Sequence, residues 1–307
     1  MTFPPRKRLI VVAGPTASRK TELSLKLAAR LDGDIVCGDS VQLLSGFRVG
    51  SAAPTDAELA AAPHHLFHSF APEDPPDAAR YAAAADLAIA TITERGRLPI
   101  VVGGTGLYLR ALLEGLAPTP PVPQDIRARL AAELRSGGIA PLWERLRLAD
   151  PSTAARIQGG ARNTQRVIRA LEVFEATGQP LSHFHAIQST EPRYDATVLV
   201  PVFPPDVLAA RIDRRVDAMF ADGLVSEVQG LLASGLPPGG RALGTLGYRQ
   251  VAAWLSTGGD LTAVITDIKA SHRAYARRQR TWFQSVPGAH RLDASLTDLV
   301  ETAFSAA

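Results

Sequence analysis

Short apolar runs alternate with amphipathic stretches at the start of the chain, and this pattern predicts strands that alternate with helices. Residues 8–13, 34–37 and 98–102 are predicted strands, while 21–31 and 78–94 are predicted helices. Strands and helices in this order predict a parallel, doubly wound sheet with both faces covered. The predicted fold class is therefore α/β.

The pattern changes at Pro118, where four prolines within six residues form a rigid connection. Several helices and no strand are predicted after it, over residues 125–136, 140–149, 151–156 and 164–177. A strand is predicted again at 197–203, followed by a helix over 206–222 and a helical region over 243–292. We therefore predict an α/β catalytic core with C-terminal helices, residues 1–118 and 196–307, interrupted by an all-helical insertion, residues 119–195.

The composition of the chain excludes several classes of protein, but it does not indicate a binding partner. The 307 residues carry a formal net charge of +3, and 46% of them are apolar, which excludes a wholly disordered chain. The single cysteine, Cys37, excludes a disulfide framework. No apolar run reaches the roughly 18–20 residues of a membrane span, and the one at 9–13 is too short for a signal peptide. We expect a soluble, cytoplasmic protein with no membrane association.

The strongest motif is GPTASRKT at residues 14–21, which follows the first predicted strand and opens a helix. In a phosphate-binding loop (P-loop), backbone N–H groups and the helix N-terminus face the anion, the lysine adds charge and the threonine hydroxyl ligates Mg²⁺. Lys20 and Thr21 occupy those two positions, so a P-loop NTPase-like core is predicted. Arg19 stands where the pattern has glycine, and its side chain either points outward, adds charge to the site or impairs it.

Two further predicted strands end in candidate site residues. Asp39 follows the second strand, where a carboxylate either accepts a proton from a substrate or serves as a helix cap. The third strand runs into Gly103-Gly104-Thr105, whose glycines allow a ligand to approach and whose threonine offers a hydroxyl. Because ligands bind at the carboxyl ends of strands in open α/β sheets, we expect these residues to converge on the phosphate loop.

Basic residues predict a polyanionic partner. Lys269, Arg273, Arg277 and Arg280 share one face of a predicted helix, and no acidic residue occurs from 269 to 292. Aromatic residues are interleaved with these cations, which favours nucleic acid over a merely solvated face. The predicted insertion adds arginines at helical spacing, namely Arg162, Arg166 and Arg169.

Two smaller groups of residues keep two interpretations each. Arg211 and Arg215 either reach over a bound diphosphate or pair with nearby aspartates on their own helix. His64, His65 and His68 suggest a metal site at first sight. Because no carboxylate lies at ligand spacing from them, structural or capping roles are the better interpretation.

Together these motifs resemble the tRNA dimethylallyltransferase family, the isopentenyl-diphosphate:tRNA transferases. Eight segments carry the resemblance, in order along nearly the whole chain: GPTASRKT at 14–21, GDSVQ at 38–42, APHHLF at 62–67, GGTGLYLRALLEGL at 103–116, QRVIRALEV at 165–173, ARIDRRVDAMFADGLVSEV at 210–228, GTLGYRQ at 244–250 and YARRQRTWFQ at 275–284. Several motifs in one order are far more specific than the phosphate loop alone.

The resemblance implies transfer of a dimethylallyl group from dimethylallyl diphosphate to the exocyclic N6 amine of the adenosine on the 3′ side of a tRNA anticodon. It implies that Asp39, Thr105 and Arg211 are catalytic, with Asp39 engaging the amine. The implied diphosphate ligands are Gly14, Pro15, Thr16, Ala17, Ser18, Arg19, Lys20, Thr21 and Arg215, with Mg²⁺ beside Thr21. A monomer without an obligate protein partner is expected.

The resemblance also implies contacts with the tRNA anticodon stem-loop, which the helical insertion would grip. The implied positions are Asp39, Ser40, Val41, Gln42, Thr105, Arg127, Gln165, Arg166, Val167, Ile168, Arg169, Gly244, Tyr248, Arg249, Arg277, Arg278, Gln279, Arg280 and Trp282.

Since Arg19 replaces a glycine of the family, we hypothesise that Arg19→Gly raises transferase activity. The alternatives are a small-molecule kinase with the same loop and a tRNA-binding family member inactivated by Arg19.

Overall fold

A computed structural model describes residues 7–157, 159–189, 191–293 and 299–306. Six strands form one sheet: β1 Arg8–Ala13, β2 Gly33–Cys37, β3 His64–His65, β4 Leu98–Gly103, β5 Asp195–Val202 and β6 His290–Asp293. All neighbouring strands are parallel, in the order β3-β2-β4-β1-β5-β6. The predicted α/β class with a parallel sheet is confirmed.

The described residues also form fourteen α-helices: α1 Lys20–Leu31, α2 Asp56–Ala61, α3 Ala78–Glu94, α4 Gly106–Glu114, α5 Gln124–Gly137, α6 Ala140–Ala149, α7 Pro151–Arg156, α8 Thr164–Thr177, α9 Leu181–Ala186, α10 Pro205–Ala221, α11 Leu224–Ala233, α12 Tyr248–Thr257, α13 Leu261–Gln284 and α14 Leu299–Ala306. No helix among the described residues is both long and apolar enough to cross a bilayer. The seven helices predicted with bounds before residue 243 are present, and their ends agree to within a residue. The region 243–292, predicted to be helical, instead contains α12, α13 and the strand β6.

Two compact units divide the chain. The first runs to Leu113 and resumes at Pro192, and the second covers Glu114–Glu191. The insertion boundaries predicted from sequence, 119 and 195, lie five and four residues later than these. The second unit is all-helical among its described residues, and its core contains Leu130, Leu146 and Leu171 without exposed surface.

The sheet of the first unit is buried on both faces. From Leu9 to Ala13, every residue of β1 has no exposed surface, because β4 and β5 pair with its two edges and helices cover its faces. Alternate side chains of β1 enter two different core clusters, Leu9 and Val11 on one face and Ile10 and Val12 on the other. This arrangement explains why the predicted strand is a continuous apolar run instead of an alternating one.

Two strands escape sequence prediction. β3 has only two residues, His64 and His65, and β6 lies in the region that was predicted to be helical. His65 has a structural role, since its Nε2 is 2.9 Å from the Oδ2 of Asp34, a carboxylate with 1% exposure. His64 and His68 make ring hydrogen bonds to backbone carbonyl oxygens, as capping residues do.

The ends of β2 and β4 touch backbone to backbone. The Gly38 N–H donates to the Val102 carbonyl at 2.7 Å. A Cβ on Gly103 would lie 2.0 Å from the Gly38 carbonyl oxygen, a distance that no side chain tolerates. Glycine at 103 is therefore required for the two strand ends to lie in contact.

We expect Gly103→Ala to lower the free energy of unfolding by about 3 kcal/mol or more, because the methyl group forces the strands apart. Urea denaturation followed by circular dichroism measures this change. Gly230→Ala is the matched control, since Gly230 lies in α11 and no other group comes within 4 Å of the place its methyl would take. That variant is expected to be more stable by up to about 1 kcal/mol. An unchanged midpoint for Gly103→Ala would contradict the packing described.

Candidate active site

A cavity of about 620 Å³ lies at the carboxyl ends of β1, β2 and β4. The phosphate loop and the start of α1 line it with residues 16–22, the turn after β2 with 39–42, and the end of β4 with 102–103. Helices α10 and α13 contribute much of the remaining wall. The strand ends predicted to converge are therefore neighbours at the edge of the sheet where such folds bind ligands.

The phosphate loop is shaped by short-range contacts. The buried Ser18 hydroxyl donates to the Pro15 carbonyl at 2.8 Å, and the Lys20 ammonium donates to the same carbonyl at 2.7 Å. Ala17 and Arg19 adopt left-handed backbone conformations, with φ of 64° and 62°. Arg19 thus keeps a conformation that glycine adopts without steric cost, at the position where the loop pattern has glycine.

The Arg19 side chain turns toward the first turn of α1. Its Nε and Nη2 donate to the two carboxylate oxygens of Glu22 at 2.7 and 2.6 Å, and Lys26 pairs with the same carboxylate at 3.1 Å. The hydrogen bonds from Arg19 lower the pKa of Glu22 to about 2, so the pair is ionised at neutral pH. The charge that the arginine brings to the loop is therefore matched locally by Glu22.

Lys20 and Arg215 line the cavity without such a match. Burial and the nearby Arg215 lower the pKa of Lys20 to about 8, and burial lowers the pKa of Arg215, while Asp39 opposes both shifts. Arg215 donates from Nη2 to the Ser51 carbonyl at 3.1 Å, and its buried Nε has no partner among the described residues. An anion in this cavity would neutralise desolvated positive charge.

Arg211 lies one turn before Arg215 on α10 and reaches the phosphate loop. Its Nε donates to the Ala17 carbonyl at 2.8 Å, and its guanidinium lies over the Phe203 ring at 5.1 Å. No described residue forms an ion pair with Arg211 or Arg215. Of the two interpretations left open, pairing with aspartates of α10 is therefore wrong.

Asp39 caps its own turn and also faces the cavity. Its Oδ1 accepts from the N–H groups of Val41 and Gln42 at 3.0 and 3.4 Å, and no described residue donates to Oδ2. The Thr105 hydroxyl accepts from the Ser40 N–H at 2.9 Å and donates to the Ser40 hydroxyl at 3.2 Å. Thr105 therefore holds the Asp39 turn and does not line the cavity. Its contact with a diphosphate stays a prediction.

Glu227, which no sequence pattern singled out, shapes the loop on another side of the cavity. Its carboxylate accepts the consecutive N–H groups of Arg48, Val49 and Gly50 at 2.9, 2.7 and 3.0 Å. The hydroxyl of Tyr248 donates to the same carboxylate at 2.6 Å. Tyr248 has no exposed surface, so its described contacts are internal to the fold. Gly50 and Glu227 are 177 positions apart in the sequence, which explains why no local pattern revealed this contact.

The basic face of α13 is divided into two parts. Lys269 pairs with Asp217 at 2.6 Å and Arg273 with Asp213 at 2.5 Å, so acids of α10 supply the partners that the local sequence lacks. Arg277 and Arg278, about one helical turn beyond Arg273, are exposed and form no ion pair with a described residue. The part of this face that remains open to a polyanion is therefore the C-terminal one.

The other positions implied for tRNA contact differ in exposure. Gln165, Arg166, Arg127, Gly244 and Arg249 are exposed, and Arg280, Trp282 and Ile168 are partly buried. Val167 has no exposed surface and lies in the core of the helical unit. Arg169 donates to the Thr119 hydroxyl at 2.9 Å within that unit. Gln279 is 5% exposed and is used inside the first unit.

The parallel sheet and the loop between β1 and α1 define an α/β protein with a P-loop-like fold. The IPP transferase family matches residues 42–286, and the isopentenyl transferase family matches residues 7–66. The chain belongs to the tRNA dimethylallyltransferase family.

Relatives of known name cover nearly the whole chain. The tRNA dimethylallyltransferase of Anaeromyxobacter dehalogenans is 47% identical over 283 residues, 92% of this chain and 93% of that one. The tRNA dimethylallyltransferase 1 of Trichlorobacter lovleyi is 45% identical over 283 residues, 92% of each chain.

Two solved structures share the fold. The tRNA isopentenylpyrophosphate transferase of Bacillus halodurans has 34% identity and a TM-score of 0.72, covering 98% of this chain and 96% of that one. A eukaryotic dimethylallyltransferase described as acting on tRNA has 26% identity and a TM-score of 0.83, covering 97% of this chain and 77% of that one. The predicted family and the enzyme class, a transferase, are confirmed.

Arg19→Gly is expected to raise kcat/KM for the diphosphate donor, because glycine adopts the left-handed conformation freely and lets the anion approach the loop more closely. Steady-state kinetics of prenyl transfer measures the change. Arg19→Ala is the control, because it removes the guanidinium but keeps the Cβ. A gain that comes from removing the Cβ is therefore expected in the glycine variant only. Equal or lower activity in Arg19→Gly than in the wild type would contradict the hypothesis.

Affinity for inorganic diphosphate is expected to fall as the pH rises above about 8, where Lys20 loses its proton in the free protein. A bound anion raises the pKa of Lys20, so binding takes up a proton above pH 8 and is strongest below it. Calorimetric titrations between pH 7 and 9.5 measure this dependence. Lys20→Met is the control, since ionisation of the diphosphate itself affects both proteins alike. If the affinity of the two proteins changed with pH in parallel, the pH dependence could not be assigned to Lys20.

Proposed function

We propose that the chain transfers the dimethylallyl group of dimethylallyl diphosphate to the N6 amine of the adenosine on the 3′ side of a tRNA anticodon. The observation that carries this proposal is the cation-lined cavity: Lys20 and Arg215 line it without ion-pair partners among the described residues, and Asp39 faces it. Family membership supports the donor and the acceptor.

In this reaction the N6 nitrogen attacks C1 of the dimethylallyl group. A new N–C bond forms as the C1–O bond breaks, and its electron pair leaves with the diphosphate. Lys20, Arg215 and Arg211 would stabilise the negative charge that develops on this leaving group. The free Oδ2 of Asp39 would orient the amine and accept its proton, while Oδ1 stays bonded to the backbone of its turn.

The donor set of the cavity fits Mg²⁺. Mg²⁺ prefers oxygen ligands and keeps several waters, usually binding through few protein groups together with substrate phosphates. The Thr21 hydroxyl lines the cavity and makes no hydrogen bond with another described residue, and the Asp39 carboxylate lies in the same cavity. These two residues would hold the ion directly or through water. When bound, the ion would supply charge that neutralises the diphosphate.

Binding of the anticodon stem-loop would use exposed arginines of each unit. Arg277, Arg278 and Arg249 are exposed in the first unit, and Arg166 and Arg127 in the second. Arginine suits this role because its planar fork binds phosphate and stacks on bases. The target adenosine would leave its stack to reach the cavity, as enzymes that modify bases generally require.

A reaction with undermodified tRNA, dimethylallyl diphosphate and Mg²⁺, followed by mass spectrometry of the nucleosides, tests the proposal. We expect prenylated adenosine from the wild type and a kcat lower by about 10²–10⁴-fold in Asp39→Asn. Asparagine keeps the oxygen that accepts from Val41 and Gln42, so the turn stays intact.

Asp222→Asn, a change at an exposed aspartate at the end of α10, is the matched control and is expected to have wild-type kcat. Consumption of ATP driven by a small acceptor would replace the proposed function with that of a kinase. Binding of tRNA without any prenylated product would make the chain an inactive binder.

A further inference from the structure

Gln279 joins three separate elements of the first unit. It lies in α13, is 5% exposed and has both ends of its amide engaged. Its Oε1 accepts from the Thr16 N–H of the phosphate loop at 2.9 Å, and its Nε2 donates to the Gly104 carbonyl after β4 at 2.8 Å. These contacts cross 263 and 175 residues of sequence, so the side chain ties the two strand-end loops to one helix.

Gln279 lines the cavity, and Gly104 leaves the space that its amide occupies. A Cβ on Gly104 would lie 2.5 Å from the Gln279 Nε2 and 3.2 Å from the Gly14 carbonyl oxygen. The glycine-rich turn and the phosphate loop therefore run side by side, with the amide of Gln279 bonded to both. Glycine at 104 is needed for the amide to fit.

The helix that carries Gln279 is firmly anchored. On its two sides, Ala276 packs in the core cluster on one face of the sheet and Phe283 in the cluster on the other face. Both residues have 2% exposure or less. Because the helix is held on both sides, the amide of Gln279 has a defined position. Its hydrogen bond to the Thr16 N–H therefore fixes the position of the phosphate loop.

We propose that Gln279 is a positioning residue of the donor site, which sets the phosphate loop against the glycine-rich turn, and that it does not contact tRNA. The proposal deepens the proposed function and rests on it for the identity of the donor. A glutamine suits the role because one end of its amide accepts and the other donates. Without the amide, the Thr16 N–H and the Gly104 carbonyl would lose their hydrogen-bond partners, which is unfavourable for buried groups. The loop would then relax away from the geometry that binds diphosphate.

Binding of two probes to the full chain tests this role separately from catalysis. The probes are inorganic diphosphate with Mg²⁺, followed by calorimetry, and an unmodified anticodon stem-loop RNA, followed by fluorescence anisotropy. For Gln279→Met, which keeps the shape and removes both hydrogen bonds, we expect diphosphate binding weaker by about tenfold and RNA binding within twofold of the wild type.

Gly104→Ala disrupts the same hydrogen bonds without changing Gln279, because the added methyl group displaces the amide. We expect the same selective loss of diphosphate binding in this variant. Gln229→Met is the matched control, since Gln229 is an exposed glutamine on α11, and it is expected to bind both probes normally. Arg277→Ala is expected to show the reverse pattern, with RNA binding weakened and diphosphate binding kept.

Weakened RNA binding with normal diphosphate binding in Gln279→Met would make Gln279 a tRNA contact and overturn the proposal. Unchanged binding of both probes in both variants would overturn it as well. Thermal melting checks that each variant is folded, and if one of the two does not fold, the other decides. The measurements involve no prenyl transfer, so a failure of the proposed reaction would appear in the nucleoside assay and not here.

Discussion

The contact between the backbones of Gly38 and Gly103 is the constraint on which the site depends. Neighbouring strands of a sheet lie about 4.8 Å apart, which leaves little space between two chain segments that continue side by side beyond the strands. Here two glycines keep the ends of β2 and β4 together, with a hydrogen bond from Gly38 to Val102. Asp39, which follows Gly38 directly, lines the same cavity as the phosphate loop.

The cations at the cavity are of two kinds, those with an ion-pair partner and those without one. Arg19 is an added cation at the loop, and it is matched by Glu22 on its own helix. Lys20 and Arg215 have no such match among the described residues and are partly desolvated, which makes their pKa values lower than usual. Unmatched buried charge is unfavourable in the free protein and becomes favourable when an anion arrives. This charge supports the proposal that the ligand of the cavity is an anion.

Local patterns predicted most of the fold and part of the site. The strands 8–13, 34–37 and 98–102 were visible because a parallel strand buried on both faces is a continuous apolar run. The four-residue strand at His290–Asp293 was not visible, because it is short and gains its place only by pairing with β5. Glu227 and the aspartates that pair with α13 escaped for a related reason: their partners are distant in sequence and carry no local signal.

The position of β1 within the sheet has a consequence for synthesis on the ribosome. The first 113 residues contain the phosphate motif and four strands, but in that fragment one edge of β1 has no partner until β5 is made. At typical elongation rates that interval is on the order of ten seconds. A nascent chain stalled there displays an apolar strand edge, a known route to misassociation, and lacks Arg215 and Gln279 altogether. This edge of β1 therefore stays unpaired for as long as the all-helical segment is being translated.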